Sequence, residues 1–518
     1  MTEGLSTTDP QPSPQPSRGM VRTLVSGTSW QALAQVAPLI INLVLTPYTI
    51  HGLGLDVYTV FLLVNSIQAM MSTFNGGIGP SVQRYLTIYA GRDDREATTR
   101  LVTTMSVIVL GIVAVVLTAF FLLVPVIIGF FPVFAADASG SVFLLFTQIA
   151  LIGLMQVRGL FQSVIFARQK FAFVSIAILV AHAIYTVGII VTVETGAGLR
   201  GIAWIFIAQQ VVGTVIIVPP AFRYLSRSGL GFIDRALLME FGGYAWKVQI
   251  SSWLDVLTQQ ADLLIVSKLR GAEAGIFGPG QTFAQQLRML PMNAIGPMLV
   301  LVGRSVGEKG EKGAVADYER LQRLWTIAVT GWVATGAPAA YFGVVAWLHL
   351  GTDLPGRVAS ILLFGHLFAL LMRAPILWCL ALRRPGLDVT QGLVFLVLKI
   401  ILTIGLAIPF GAIGVAVGTC VSQLGAALCL SWLVRTRLDT TVSSYWRQIP
   451  VGHALVCALI SGVSTWGMSL LVGPVIPNGA LGLLACGLAA GPALFIYLVS
   501  VLGVQTTKDL VKRRGRLA

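Results

Sequence analysis

The sequence predicts an all-α polytopic membrane protein of about fourteen transmembrane helices. Of 518 residues, 56% are hydrophobic and 11% are charged, too few charges to cover a soluble fold of this size. The apolar residues also gather into recurring runs of about 20, the length a helix needs to cross a bilayer. A third observation orients the chain. Among its 35 Lys and Arg, only Arg200, Lys268, Arg270 and Arg357 fall by the loops after odd-numbered runs. Five lie within the runs, and all the others fall on the opposite side, which the positive-inside rule assigns to the cytoplasm. The net charge of +14 is thus topological, and no nucleic-acid patch is read from it.

Residues 1–20 are predicted to form a disordered cytoplasmic tail, polar and Pro-rich over Thr7–Ser17. The tail has no apolar core of its own, so it is not a signal peptide. Spans follow at roughly 23–47, 57–79, 101–130, 141–166, 171–193 and 198–219, giving an N-terminal lobe over 21–235. A second six, at 239–267, 275–302, 324–348, 358–382, 389–408 and 411–434, give a C-terminal lobe over 236–440. The last two of these are divided only by a short turn at Pro409 and Gly411. Two further spans, 449–473 and 479–503, occupy 441–505, and a basic tail, 506–518, ends the chain. The even count returns that tail to the cytoplasm, where its charge belongs, in a bacterial inner (cell) membrane.

The chain compares with itself. Gly52-Leu-Gly-Leu-Asp-Val-Tyr58 aligns with Gly271-Ala-Glu-Ala-Gly-Ile-Phe277, and Asn75-Gly-Gly-Ile-Gly-Pro80 with Asn293-Ala-Ile-Gly-Pro297. Six spans separate the copies. An even number keeps both halves in one orientation, so the two lobes form a parallel repeat with a pseudo-two-fold along the membrane normal.

Five basic side chains fall inside predicted spans: Arg158, Lys247, Arg288, Arg373 and Lys399. A charge at that depth costs at least ~2.5–3.5 kcal/mol, so it faces a partner or a watery cavity. Only Asp255 and Asp262 lie comparably deep, so the interior is net positive and favours an anion. Helix seven places Lys247, Ser251, Asp255, Gln259 and Asp262 on one face, at steps of four, four, four and three. Gln281, Gln285 and Arg288 share a face of helix eight. Gln31, Gln35 and Asn42 share one of helix one, and Asn65 and Gln68 one of helix two. Facing one another, these stripes predict a wet, cationic central cavity. The competing reading is interhelical hydrogen bonding, with Asp255 and Asp262 either spent in structural ion pairs or available for coupling. Pro38 and Pro291 interrupt helical runs and predict kinks. The five cysteines lie in apolar helices without metal-ligand spacing, and no metal or cofactor is expected.

With these residues in view, the chain resembles the multidrug/oligosaccharidyl-lipid/polysaccharide (MOP) exporter superfamily, and more narrowly its Wzx-type polysaccharide flippases. The likeness rests on Leu53-Gly-Leu-Asp-Val-Tyr58 and on Asn75-Gly-Gly-Ile-Gly-Pro80 followed by Arg84. It rests also on Ala261-Asp-Leu-Leu-Ile-Val-Ser-Lys268, Gly275-Ile-Phe277 and Pro291. The resemblance implies movement of an undecaprenyl-pyrophosphate-linked oligosaccharide to the outer leaflet by alternating access, without catalysis. Lys247, Arg288, Arg158, Arg373 and Lys399 would then bind pyrophosphate, and the amides the sugars. Membrane lipids, a polysaccharide polymerase and chain-length machinery would be its partners. Two alternatives belong to the same superfamily. A cation-coupled drug exporter is disfavoured because no acid lies deep in the N-terminal lobe. A lipid II flippase is disfavoured because helix one carries no deep arginine. A pathway enzyme would need a large outer loop with catalytic residues, and none is predicted.

Overall fold

The computed structural model describes residues 18–73, 78–226, 253–382, 384, 386–437, 445–475 and 479–514. Every long regular element among them is an α-helix, in line with the all-α expectation. In chain order these are α1 (Arg18–Leu53), α2 (Leu55–Ser72), α3 (Ile78–Gly91), α4 (Arg95–Phe130), α5 (Ala138–Ala167), α6 (Phe171–Thr195) and α7 (Gly198–Ala221). Next come α8 (253–269), α9 (Gly271–Met292), α10 (Ile295–Leu348), α11 (Leu354–Leu371) and α12 (Arg373–Ala381). The last are α13 (Gly386–Arg437), α14 (Val451–Val475) and α15 (Gly479–Arg514). Lys247, Asn75 and the first half of the predicted seventh span lie outside the described residues.

Eleven described helical stretches are long and apolar enough to cross a membrane, against the fourteen expected. Two of them, Gly271–Leu348 and Gly386–Arg437, each take in two expected spans, and α8 is described only from 253. The helix α13 is a hairpin. Gly411 has φ 59° and ψ −141°, a conformation open to glycine and strained for other residues. Beyond it the chain packs back on itself: a Cβ at Gly418 would sit 2.9 Å from the Leu402 carbonyl, whereas 16 residues of straight helix separate atoms by roughly 24 Å. The first turn of α9 holds the tip. Arg270 donates to the Ile408 carbonyl at 2.6 Å, and Glu273 accepts the Ala412 N–H at 2.7 Å. The long helix α10 breaks similarly at Gly310 (φ 71°), which lets Asp317 accept from both Ser305 and Lys309 at 2.6 Å.

The expected eighth span is also interrupted, by a turn at Asn293 and Ala294. The helix α2 ends at Ser72 and α9 at Met292, and Ile78-Gly-Pro80 and Ile295-Gly-Pro297 each open the following helix. Neighbour relations recur as well. As α2, α4 and α7 pack on α5, so α9, α10 and α13 pack on α11.

The end carrying Gly54, Gly196, His349 and Gly411 has few basic residues, and the end carrying Arg92, Arg168, Arg223 and Arg304 has many. Among the described contacts, α2 packs against α9 near the sparse end and joins the helices α1–α7 to the second group. Gly275 and Gly278 let α9 approach closely: added Cβ atoms there would fall 2.1 Å from the Thr59 hydroxyl and 2.4 Å from a Leu62 methyl. Trp347 donates to the Leu43 carbonyl at 2.6 Å, Lys268 donates to the Phe130 carbonyl at 2.6 Å, and His51 stands 2.9 Å from the Leu348 carbonyl. The α14–α15 pair packs on α10, with the Tyr497 hydroxyl donating to Ile327 at 3.1 Å and Ser461 to Thr335 at 2.7 Å.

Candidate functional site: a cavity between the helix groups and a buried polar cluster

A cavity of about 570 Å³ opens between the two helix groups, walled by α1, α2, α6, α7, α8, α9 and the end of α10. Its amides are Asn42, Asn65, Gln209, Gln260, Gln281, Gln285 and Gln286. Hydroxyls come from Thr46, Thr49, Tyr58, Ser66, Tyr185 and Thr282, and further aromatic surface from Phe61, Phe206, Phe283 and Trp347. No Lys, Arg, Asp or Glu is among these lining residues. Of the expected lining residues, Asn42, Asn65, Gln281 and Gln285 reach this wall, and among the described cations Arg158, Arg288, Arg373 and Lys399 do not; Lys247 lies outside the described residues. On α9, Gln281 and Gln285 line both this space and an adjoining pocket, whereas Arg288, three residues on, lines only the adjoining pocket.

The other expected lining residues are placed elsewhere. Gln31 is half-buried and Gln35 exposed on α1, and neither is on the cavity wall. Gln68 donates to Gln148 on α5 at 2.9 Å, and Gln148 donates to Asn65 at 3.3 Å. Gln68 is therefore interhelical glue, and Asn65 serves both roles. Gln259 belongs to the adjoining pocket, and its backbone carbonyl accepts from Gln281 at 3.0 Å.

That pocket, of about 30 Å³, lies among α8, α9, α11 and both arms of α13. Asp262 and Lys399 form an ion pair there at 2.9 Å, with side chains 3% exposed. Lys399 also donates to the Thr258 carbonyl, and Thr419 donates to the second Asp262 oxygen at 2.7 Å. One carboxylate thus joins α8 to both arms of the hairpin. Lys399, expected as an anion ligand, is consumed by this pair. The site also holds His366, 3.1 Å from the Gln423 amide nitrogen. The Arg288 Nε and His366 Nε2 are buried without protein partners.

The remaining cations are dispersed. Arg158 of α5 lies against Gly213 of α7, where an added Cβ would stand 2.5 Å from its guanidinium. Arg373 begins α12, within Coulombic reach of Asp388 and Arg288. Neither lines the cavity or the small pocket. Asp255 is exposed and within Coulombic reach of Arg288. Among the described residues, Arg158, Arg288 and Arg373 form no ion pair within 4.0 Å, and Asp262–Lys399 is the one fully buried pair. Sequence reasoning missed Gln209, Gln260, Gln286, Tyr185, Thr419 and Gln423. Gln286 and Thr282 stand four apart on α9, a signal that was available; the others depend on which helix faces which.

No protein-family model matches the chain, and no curated protein sequence does. Solved structures do match. An inward-facing multidrug resistance MATE family transporter of the MOP superfamily superposes with a TM-score of 0.60 at 13% identity, covering 80% of this chain and 100% of its own. The lipid II flippase MurJ, in an inward closed conformation, gives 0.63 at 12%, covering 94% and 100%. A point mutant of the Vibrio cholerae MATE transporter VcmN gives 0.56 at 17%, covering 80% and 97%. The chain shares the fold of these solved structures. Within that fold, the break at Gly310 and the hairpin at Gly411 each divide one long helix into two arms, and the described lining of the cavity carries no charged side chain.

Proposed function

We propose that this chain is a Wzx-type flippase, carrying an undecaprenyl-pyrophosphate-linked oligosaccharide from the cytoplasmic to the outer leaflet of the cell membrane for surface polysaccharide synthesis. It would do so as fourteen spans in two lobes with both termini cytoplasmic, and without catalysis. The observation that carries this reading is the cavity wall: amides, hydroxyls and aromatic rings with no charged side chain among them. Planar amides donate and accept at once, as sugar hydroxyls do, and aromatic faces cover the apolar faces of sugar rings. A cation exporter would want a carboxylate at such a wall, and none is among the described lining residues.

Arg288 supplies a charge in the pocket adjoining the cavity. It sits three residues beyond Gln285 on α9, roughly 4–5 Å along the axis towards the basic end, with a buried unpartnered Nε. There it would meet the pyrophosphate together with Lys247. Contacts concentrated at the sparse end support an inward-facing conformer, which opening of α2 from α9 would convert to the outward one.

Deleting the gene tests the reading. The expected result is accumulation of the undecaprenyl-linked unit on the cytoplasmic side with loss of surface polysaccharide, rescued by the parent protein but not by Arg288→Gln or Lys247→Gln. Unchanged polysaccharide with altered sensitivity to cationic drugs would overturn it in favour of an exporter.

A further inference from the structure

Resting on the flippase reading above, we propose that the cavity is a chamber for uncharged sugar residues, that it discriminates against glycans bearing a carboxylate, and that the diphosphate stays outside it. Volume, polarity and the location of charge all point this way. The 570 Å³ space falls within the 300–1,000 Å³ of pockets that enclose a drug-sized ligand. Its polar groups are unspent: among the described residues, the side chains of Asn42, Gln209, Gln260 and Gln286 have no hydrogen-bond partner. Gln281 and Gln285 donate from their amide nitrogens to the Gln259 carbonyl, leaving their own oxygens to accept. His182 donates from Nδ1 to Ile178 at 2.9 Å and keeps Nε2 for a ligand.

Tyr185 and Phe206 stand side by side on this wall, ring centroids 5.8 Å apart, and Trp347 closes it near the sparse end. Such rings suit the C–H faces of hexoses. A carboxylate is the wrong cargo here. Brought from water into a space whose described lining holds no Lys or Arg, it would lose hydration and gain no partner. Phosphate has the same difficulty, and Arg288 faces the neighbouring pocket. The lipid-linked glycan is thereby oriented, sugars towards the sparse end and diphosphate below them.

The test uses full-length protein in proteoliposomes and two synthetic lipids. Both carry a polyprenyl diphosphate and the same neutral trisaccharide; they differ only at C6 of the outermost hexose, a hydroxymethyl group in one and a carboxylate in the other. Flipping is read as glycan protected from an impermeant oxidant. The neutral lipid is expected to move about tenfold faster or more. Gln286→Lys, at an exposed position of α9, should speed the acidic lipid and narrow the gap. Gln209→Lys on α7 repeats that test from the opposite wall. Equal rates in the parent protein, or a gap that neither lysine alters, would overturn the chamber while leaving the flippase reading intact. Movement of neither lipid would overturn both.

Discussion

Removing Lys399 should unfold the hairpin clamp from within. Lys399→Met keeps the length of the side chain and deletes the ammonium, leaving the Asp262 carboxylate with the Thr419 hydroxyl as its remaining hydrogen-bond partner. Both side chains of the pair are 3% exposed, so water does not dilute the effect. Breaking a buried pair by removing one partner costs about 3–5 kcal/mol. Replacing both ends, Asp262→Leu with Lys399→Met, removes the stranded charge and costs only the Thr419 bond and some repacking, about 1–2 kcal/mol. The assay is reversible unfolding in mixed detergent micelles followed by fluorescence of the 11 tryptophans. A single variant within about 1 kcal/mol of the parent, or a double variant as damaged as the single, would refute the reasoning. Transport by the double variant separates the two roles of Asp262. A folded, active double variant makes the pair structural, and a folded, inactive one makes Asp262 part of the coupling.

Three further outcomes are expected. Gly411→Ala should destabilise by about 1–3 kcal/mol, because its φ of 59° strains an L-residue and its Cβ would lie 2.7 Å from Glu273; the same unfolding assay reads it. Trp347→Phe removes the bond to Leu43 across the helix groups, worth about 0.5–1.5 kcal/mol. Labelling of a Thr59→Cys reporter by an impermeant maleimide, with the five native cysteines replaced, should then rise roughly two- to tenfold. At the basic end, the Arg168 hydrogen bond to Asp93 at 2.6 Å, with its charge, holds the Asp93 carboxyl below its usual 3.8. The stability from this latch is present above about pH 4 and fades as pH falls through the depressed value. Thermal midpoints of the parent and Asp93→Asn proteins should differ near neutrality and converge in acid.

Much of the bundle was legible in the sequence, because a bilayer imposes a length and a polarity that hydropathy records directly. The breaks are a good example. Pro409 and Gly411 marked a turn that Gly411's backbone makes, and Ile295-Gly-Pro297 begins a helix after a turn at Asn293 and Ala294. Part of the polar wall was legible too: Gln281 and Gln285, four apart, share the cavity face. The fate of the cations was not. Arg288 continues the Gln281–Gln285 stripe, only about 20° from Gln281 on the helical wheel, and all three side chains line the small pocket. That Arg288 stops short of the cavity is set by how α8, α11 and α13 pack around that turn of α9, which the wheel does not record.

What the sequence determined by itself was the class of the molecule, its orientation bias, its internal repeat and the cost of five cations placed inside predicted spans. These follow from composition and period, which are local properties; of those five cations, the structure buries Lys399 fully and leaves Arg158, Arg288 and Arg373 partly exposed. Only the tertiary structure decided which charges cancel. Asp262 and Lys399 stand 137 residues apart, and nothing in the chain names Thr419 as the third member of their contact. The same holds for the cavity: Asn42, Tyr185, Gln209 and Gln286 come from four helices, and only the packing of α1, α6, α7 and α9 gathers them into one neutral wall. A single helix records which of its own side chains share a face; where that face points is set by the helices around it.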